Sequence, residues 1–579
     1  KTHIDILIND NFFIIPLDGN NYNYRFHHLI QRHLYNQSLS NWGHDKISSI
    51  HCMSAEWYKN HNQPSLAIEH FIKGNNFENA LGLFKVYRLQ LLREMDWSSL
   101  KHIVNLFPKS YAKTSAEIQL SKAWLLIYSG DVFEMFSMLG YINEIICADE
   151  SRSKALIAEL KSLQVYELYN LSKDYDQCVE ACSFAIKHLP KEHVYALGYA
   201  WIFLGAAMQI THSTTIAVQK IKQGITEDND LRVKSHQWLV ICYLYWMSGE
   251  NEKLIRSSQS LIELGLQSNN LEALANGYYF KGMAQFAHGD INKAKKSLLE
   301  FYELRYSTIA VIHFMAMTVL SKCLFVLGED ARLNSVLDKM AEMIHSQRDA
   351  HFGQLLEILK ADFYLSKGHK KLAISQVNKL GDVALTALSD FYNPQIAMAR
   401  ILLMSNSASD LNYAKSLISK LEEVITRTKN GRFIVDLLLL KSESALRTAD
   451  QAFAEQYAEK AIRIANTRRY ISPFLEISDE LVEIVESVSK LKFSDFYKPL
   501  KRLLNNLNSE NTPQLLSNRE LEVLKLLRKN LTNKQIAIAL YISEKTVKRH
   551  CSNLFKKLGV KNRREATIKF QSLDLAHQI

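Results

Sequence analysis

The sequence predicts an all-α protein in which a long helical-repeat region precedes a small basic helical domain. Three observations carry that expectation. The 579 residues include only 8 Pro and 20 Gly, a scarcity of turn formers that favours long helices over sheet architecture. Glycines recur in the middle of the chain, with Gly249, Gly289, Gly328 and Gly368 spaced by 40, 39 and 40 residues. From Leu516 to Phe570 there are 14 Lys or Arg against 4 Asp or Glu, which accounts for the whole net charge of +10.

The length calls for several domains rather than one core. We expect an N-terminal piece over 1–50, helical repeats over 51–500, a linker over 501–515 and the basic domain over 516–579. At the N-terminus, "FFIIPLDGNNYNYRF" (12–26) reads as two short strands about an Asp18-Gly19 turn, the composition of a tight hairpin. A helix follows at "HHLIQRHLYNQ". Its adjacent His27 and His28 point about 100° apart on a helix and cannot share a metal. From Ser54, "SAEWYKNHNQPSLAIEHFIKGNNFENALGLF" reads as a helical hairpin. Trp57, Ala67, Ile68, Phe71 and Phe77 take its apolar positions, and Gly74 ends a helix.

Each of the four recurring glycines has a bulky apolar residue three places before it: Trp246, Phe286, Phe325 and Leu365. Five places after lie Leu254, Ala294, Leu333 and Ala373. Gly130 fits the same frame with Ile127 and Met135, and polar breaks near Ser172, His212, Ser407 and Ala449 extend it more loosely. The unit is a helix–turn–helix hairpin whose first helix ends on a left-handed Gly. Stacked hairpins form an α-solenoid with an extended binding surface. The pattern resembles tetratricopeptide repeats, with a longer unit and without their strict signature. Such solenoids bind peptides, proteins and sometimes small effectors. The aromatic stretches "WLVICYLYW" (238–246) and "GYYFKGMAQF" (277–286) have the spacing of inter-repeat core, although polar-flanked aromatics could line a ligand groove.

The seven cysteines are scattered, lack any CxxC pair, and suit buried thiols in a reducing cytoplasm. Cys178 and Cys182 could share a helix face but have no further ligands for a zinc site. The longest apolar run, Trp238 to Met247, is about half a bilayer span. No signal peptide is visible, so the expected location is the cytoplasm without a membrane partner. No nucleophile elbow, zinc motif or G-x-x-x-x-G-K-[ST] phosphate loop is found; neither "GHKKLA" nor "GNNFENALG" has the required residues. We therefore expect no enzyme activity, catalytic residue, metal or cofactor.

The basic segment opens with a capping box, Ser517 to Glu520, followed by apolar Leu521, Leu524 and Leu527. Thr532 to Gln535 is a second box before Ile536, Ala539 and Leu540. Ser543 is placed to cap a third helix, and Asn562 with Glu565 starts a fourth. On the third helix, at about 100° per residue, Val547, Cys551, Leu554 and Leu558 fall within a stripe of roughly 60°. Lys545, Lys548, Arg549, Ser552 and Lys556 lie on the other side. A solvated surface face explains polar residues there, but it does not explain why nearly every charge is positive. A basic amphipathic helix of about 22 Å after two capped helices is a helix-turn-helix arrangement suited to the DNA major groove.

The pieces "SNRELEVL" (517–524), "LTNKQIA" (531–537), "ISEKTVKRH" (542–550) and "KKLGVKNR" (556–563) closely resemble the LuxR-type DNA-binding domain over about 55 residues. That resemblance implies a four-helix domain whose third helix reads the major groove and whose fourth dimerises. Carried over by position, Lys548, Arg549 and Ser552 face base edges, with Lys548 serving either a base or a phosphate. Lys545, Thr546, Lys556, Thr532 and Asn533 contact or orient phosphates. His550 is either a phosphate contact or a packed side residue. Cys551 departs from the usual small apolar residue and reads as packing.

At the other end, "YRFHHL" (24–29) with "AEWY", "AIEHFI" and Gly74 resembles the winged-helix-to-repeat junction of MalT-like regulators, which belong to the signal-transduction ATPase type. The resemblance implies a winged-helix remnant in 1–50 and an ATP-binding domain upstream of Lys1 or missing; a chain starting on Lys rather than Met is expected to be part of a longer one. The leading expectation is a sequence-specific transcription regulator, an activator, whose repeat region senses an effector or protein partner. Its partners would be double-stranded DNA, RNA polymerase and further copies of itself on the operator. The rival expectation is a protein-interaction scaffold with a nonspecific nucleic-acid-binding tail.

Overall fold

Among the described residues helix follows helix from residue 28 onward, and there is one two-stranded sheet. The structure is a computed structural model that describes residues 14–16, 24–148, 153–347, 350–381, 393–511, 522–524, 526–527, 531–540, 542–558, 560, 562–563 and 565–566. The all-α expectation holds. The chain divides into two compact units, 1–244 and 245–579.

In the first unit, strands Ile14–Pro16 and Tyr24–Phe26 pair antiparallel with Ile14 opposite Phe26. The Asp18-Gly19 turn lies outside the described residues. The helix then runs over His28–Asn60, with Gly43 interrupting it at φ 72° and ψ 169°, so the hairpin expected from Ser54 begins inside an existing helix. Its partner is Pro64–Lys73, where Ala67, Ile68 and Phe71 are buried. Phe77 is half-buried. Trp57 departs from expectation: it is 52% exposed and stacks on His61, with ring centroids 3.9 Å apart. Gly74 ends the helix without a left-handed φ. A Cβ there would sit 2.7 Å from Cys52 Sγ and 3.0 Å from the Ser48 carbonyl, so close approach of two helices is what excludes a side chain.

The recurring glycines meet their expected role. Gly130, Gly249, Gly289, Gly328 and Gly368 all have φ between 66° and 88°. At Gly289 the amides of Gly289 and Asp290 donate to the Phe286 and Gln285 carbonyls, which caps the helix end without side chains. Leu254, Ala294, Leu333 and Ala373 are 0–2% exposed. Trp246 and Phe286 are buried, whereas Phe325 and Leu365 are half-buried. Two of the looser breaks make the same turn with other residues, Lys173 and Ala449 at φ of 55° and 57°, whereas His212 and Ser407 have φ of −115° and −80° and break the chain differently. The helix Val194–Thr211, apolar and long enough to cross a bilayer, is 72% buried among its neighbours, as a core helix would be.

The first unit also holds a buried charge cluster. Arg88 donates two hydrogen bonds to Glu159 at 2.8 and 2.7 Å, and Trp124 Nε1 donates a third at 3.0 Å. His193 Nε2 lies 3.0 Å from the same carboxylate. These partners hold the Glu159 carboxyl well below its usual range against the opposing effect of burial.

Within the second unit the row of hairpins curls back. The Ile471 amide donates to the Ala287 carbonyl at 2.7 Å, and Asn251 Nδ2 donates to the Arg468 carbonyl at 3.3 Å. The segment 430–476 therefore lies against residues 246–322, more than 100 positions earlier. Residues 501–511 of the expected linker lie in the helix Ser494–Asn511. Residues 512–514 lie outside the described residues. Of the seven cysteines, Cys178, Cys182, Cys242, Cys323 and Cys551 are buried, while Cys52 is half-buried and Cys147 is exposed.

Candidate nucleic-acid interface

The C-terminal core is small. Val523, Leu524, Leu527, Ile536, Ala537, Val547, Cys551, Leu554 and Ala566 form one buried cluster. The box opening the helix Asn533–Ala539 closes both ways: the Gln535 amide donates to Thr532 Oγ1 at 3.3 Å, and the Thr532 amide donates to Gln535 Oε1 at 2.8 Å. Ala539 was expected inward but is exposed, and Ala537 takes the inward place. Ser543 caps the helix Glu544–Leu558 by accepting from the Thr546 amide at 3.1 Å. Asn562 and Glu565 exchange bonds of 2.9 and 2.7 Å. The Ser517–Glu520 box and Leu521 lie outside the described residues.

The inward stripe of the basic helix is buried at Val547, Cys551 and Leu554. Burial raises the Cys551 thiol pKa, with Arg563 opposing, so this thiol is held protonated as packing. Lys548, Arg549 and Ser552 are exposed on the far side. Lys548 Nζ stands 3.5 Å from Glu544 Oε1, an exposed i,i+4 pair that water and salt weaken readily. Thr546 Oγ1 lies 2.7 Å from Ser543 Oγ, so its hydroxyl serves the cap. Thr532 is exposed, its hydroxyl also engaged in a cap, and Asn533 is half-buried beside it. His550 is half-buried, between the two faces. The side chains of Lys545, Lys556 and Leu558 lie outside the described residues. Sequence reasoning gave Arg563 no role. Its Nη2 donates to the Leu531 carbonyl and, at 3.4 Å, to the Leu527 carbonyl, tying the chain beyond the basic helix to residues just before the helix Asn533–Ala539.

The curled repeats of the second unit form another site, a partly open cavity of about 100 Å³ with charged and apolar residues in its wall. Lys322 Nζ lies 2.5 Å from Glu476 Oε1, Arg400 Nη1 lies 2.5 Å from Glu476 Oε2, and Arg400 Nη2 pairs with Asp362. The Arg400 and Lys322 charges hold Glu476 down to about 2 despite burial. Arg432 stacks between the Trp246 and Tyr470 rings, its guanidinium carbon 4.0 and 4.1 Å from their centroids. Tyr470 Oη donates to Asp436 Oδ2 at 3.3 Å. Burial pushes the Asp436 carboxyl up to about 6, with Arg432 opposing. The sequence held one overlooked signal here: Arg400 interrupts the apolar run "PQIAMARILL".

The Asp436 shift has a consequence for stability. The folded state keeps a proton that the unfolded chain releases near its ordinary value of 3.8, so stability falls as pH rises from about 4 to about 6 and stays lowered above that. Asp436→Asn should therefore raise stability at neutral pH by about 1–3 kcal/mol, with no gain below about pH 4. Denaturant midpoints at both pH values check this. An equal gain at both would assign the effect to something other than the carboxylate.

Residues 514–570 match the model of a family described as bacterial regulatory proteins, luxR family. The matched segment contains all the residues expected to contact DNA, and the match supports a DNA-binding transcription regulator.

Proposed function

We propose that the protein is a sequence-specific transcription regulator whose helical repeats sense an effector and control the C-terminal domain. The carrying observation is the helix Glu544–Leu558, with one side buried at Val547, Cys551 and Leu554 and Lys548, Arg549 and Ser552 exposed on the other. A 15-residue helix is about 22 Å long and fits a major groove roughly 12 Å wide. In this reading Arg549 pairs with guanine O6 and N7, and Lys548 and Ser552 meet neighbouring base edges. Lys545, Lys556, Thr546, Thr532 and Asn533 hold the phosphates. The free amides at the helix N-terminus add a further phosphate contact.

A single domain of this size covers one half-site, so two or more copies act together on an operator. The reading further includes activation through RNA polymerase, action in the cytoplasm, and an ATP-driven relative of MalT-like regulators as the larger context. Supporting the sensing role is the cavity of the repeats with its buried charged residues, a feature that simple scaffolding does not require.

Arg549→Ala should weaken binding to the preferred site by about 1–3 kcal/mol and relax its sequence preference. Lys556→Ala should weaken all duplexes alike and flatten the salt dependence. Selection from random duplexes, followed by titration at two salt concentrations, tests both. Equal affinity for selected and random DNA would favour the scaffold with a nonspecific basic tail.

A further inference from the structure

The cavity in the second unit is lined by the cations Lys322, Arg400 and Arg432 and by the carboxylates of Glu476 and Asp436. Lys322, Arg400, Asp362 and Glu476 are two cations and two anions joined to one another. Arg432 stands apart from that closed set; Asp436, the carboxylate it acts on electrostatically, makes no ion pair with it and is bonded by Tyr470 instead. Among the described residues no carboxylate lies within 4 Å of its guanidinium, and its side-chain hydrogen bond is a long one, Nη1 to Asn251 Oδ1 at 3.5 Å. The two stacked rings fix the plane of the guanidinium and leave its N–H edge for an acceptor. A buried cation with so few acceptors is costly unless an anion reaches it.

The remaining wall is selective. Met283, Val319 and Ile396 supply apolar surface, and a volume of about 100 Å³ is that of roughly three waters. We propose that this cavity binds a small organic acid, its carboxylate paired edge-on with Arg432 and its short hydrocarbon part against Met283, Val319 and Ile396. A planar carboxylate matches a guanidinium edge with two parallel bonds, whereas a phosphate dianion brings a second negative charge into a cavity that Glu476 and Asp436 already line. The ligand would touch Trp246, Arg432 and Tyr470 at once. It would thereby brace the contact between early and late hairpins of the unit, and this gives it a means of regulation. This inference rests on the sensing role proposed above.

The test is calorimetric titration of the intact chain with butyrate, its neutral amide and inorganic phosphate. Butyrate should bind, and the amide and phosphate should bind at least tenfold more weakly. Arg432→Gln should lose at least tenfold in butyrate affinity, and Asp436→Asn, which removes a competing anion, should bind severalfold more tightly. Because Arg432→Gln could fail to fold, Val319→Phe provides a second variant: it fills the cavity and should abolish binding. No heat with butyrate in either the native chain or Asp436→Asn overturns the proposal. Equal binding of all three probes, or undiminished binding to a folded Arg432→Gln or Val319→Phe, also overturns it. DNA titration of the same samples separates the two readings. Intact sequence-specific DNA binding without butyrate binding defeats the ligand assignment alone, whereas loss of sequence preference defeats the regulator reading.

Discussion

Glu159→Gln is expected to lower the stability of the first unit by about 3–5 kcal/mol, the usual consequence of breaking a buried ion pair on one side. The side chains of Arg88 and Glu159 are 5% and 2% exposed, so water cannot replace the missing charge. The Gln oxygen can still accept from Trp124 Nε1, but it cannot neutralise the two bonds from Arg88. The size of the loss reports the unpaired guanidinium rather than the net worth of the native pair. A double variant, Arg88→Met with Glu159→Gln, distinguishes these. With the orphaned charge removed, about half or more of the lost stability should return. Denaturant unfolding of the four proteins in the cycle measures the coupling. If Glu159→Gln alone costs less than about 1 kcal/mol, the cluster is reached by water and its burial does not matter.

Such clusters were the least legible part of the sequence. Arg88 and Glu159 are 71 positions apart, and Lys322 and Glu476 are 154 apart. No local period brings them together. They meet only because hairpins stack and, in the second unit, curl back. The glycine frame was readable because the requirement at Gly249, Gly289, Gly328 and Gly368 is local: a positive φ favours Gly whatever surrounds it. The frame faded at Lys173 and Ala449 because other residues accept the same conformation at some cost. Trp57 misled because amphipathic spacing marks a stripe without saying whether a neighbour covers it. Gly74 was a helix end for a different reason, a close helix approach that its own segment does not encode.

The basic domain was legible in finer detail because its signals are short-range. The pairs Thr532–Gln535 and Asn562–Glu565 both close through hydrogen bonds three residues apart. On the third helix the angular stripe placed Val547, Cys551 and Leu554 inward correctly. The preceding helix, Asn533–Ala539, has only 7 residues, under two turns, so the spacing could not separate Ala537 from Ala539. What a side chain touches across an interface, such as Arg563 on the Leu531 carbonyl, depends on the angle between helices and had no counterpart in the pattern.

Leu554→Ala is expected to abolish sequence-specific DNA binding while leaving the repeats folded. Leu554 is fully buried in the small cluster that joins the helix Asn533–Ala539 to the basic helix, and removing such a side chain costs about 2–5 kcal/mol. A domain of about 55 residues has a core that supplies little more than this in total. The basic helix would therefore lose its fixed seat, and with it the common orientation of Lys548, Arg549 and Ser552 on which the proposed base readout depends. Its positive charge would remain. The variant should accordingly keep weak, steeply salt-dependent binding to any duplex, while its preference for the selected site disappears. Arg549→Ala makes the necessary contrast, since an exposed residue leaves the domain folded and changes preference at one position. Amide exchange should show protection lost over 544–558 in Leu554→Ala and retained in Arg549→Ala, with the helices of 153–347 protected in both. Undiminished site preference in Leu554→Ala would mean that sequence is read by something other than an oriented helix, and the assignment of this face would fall with it.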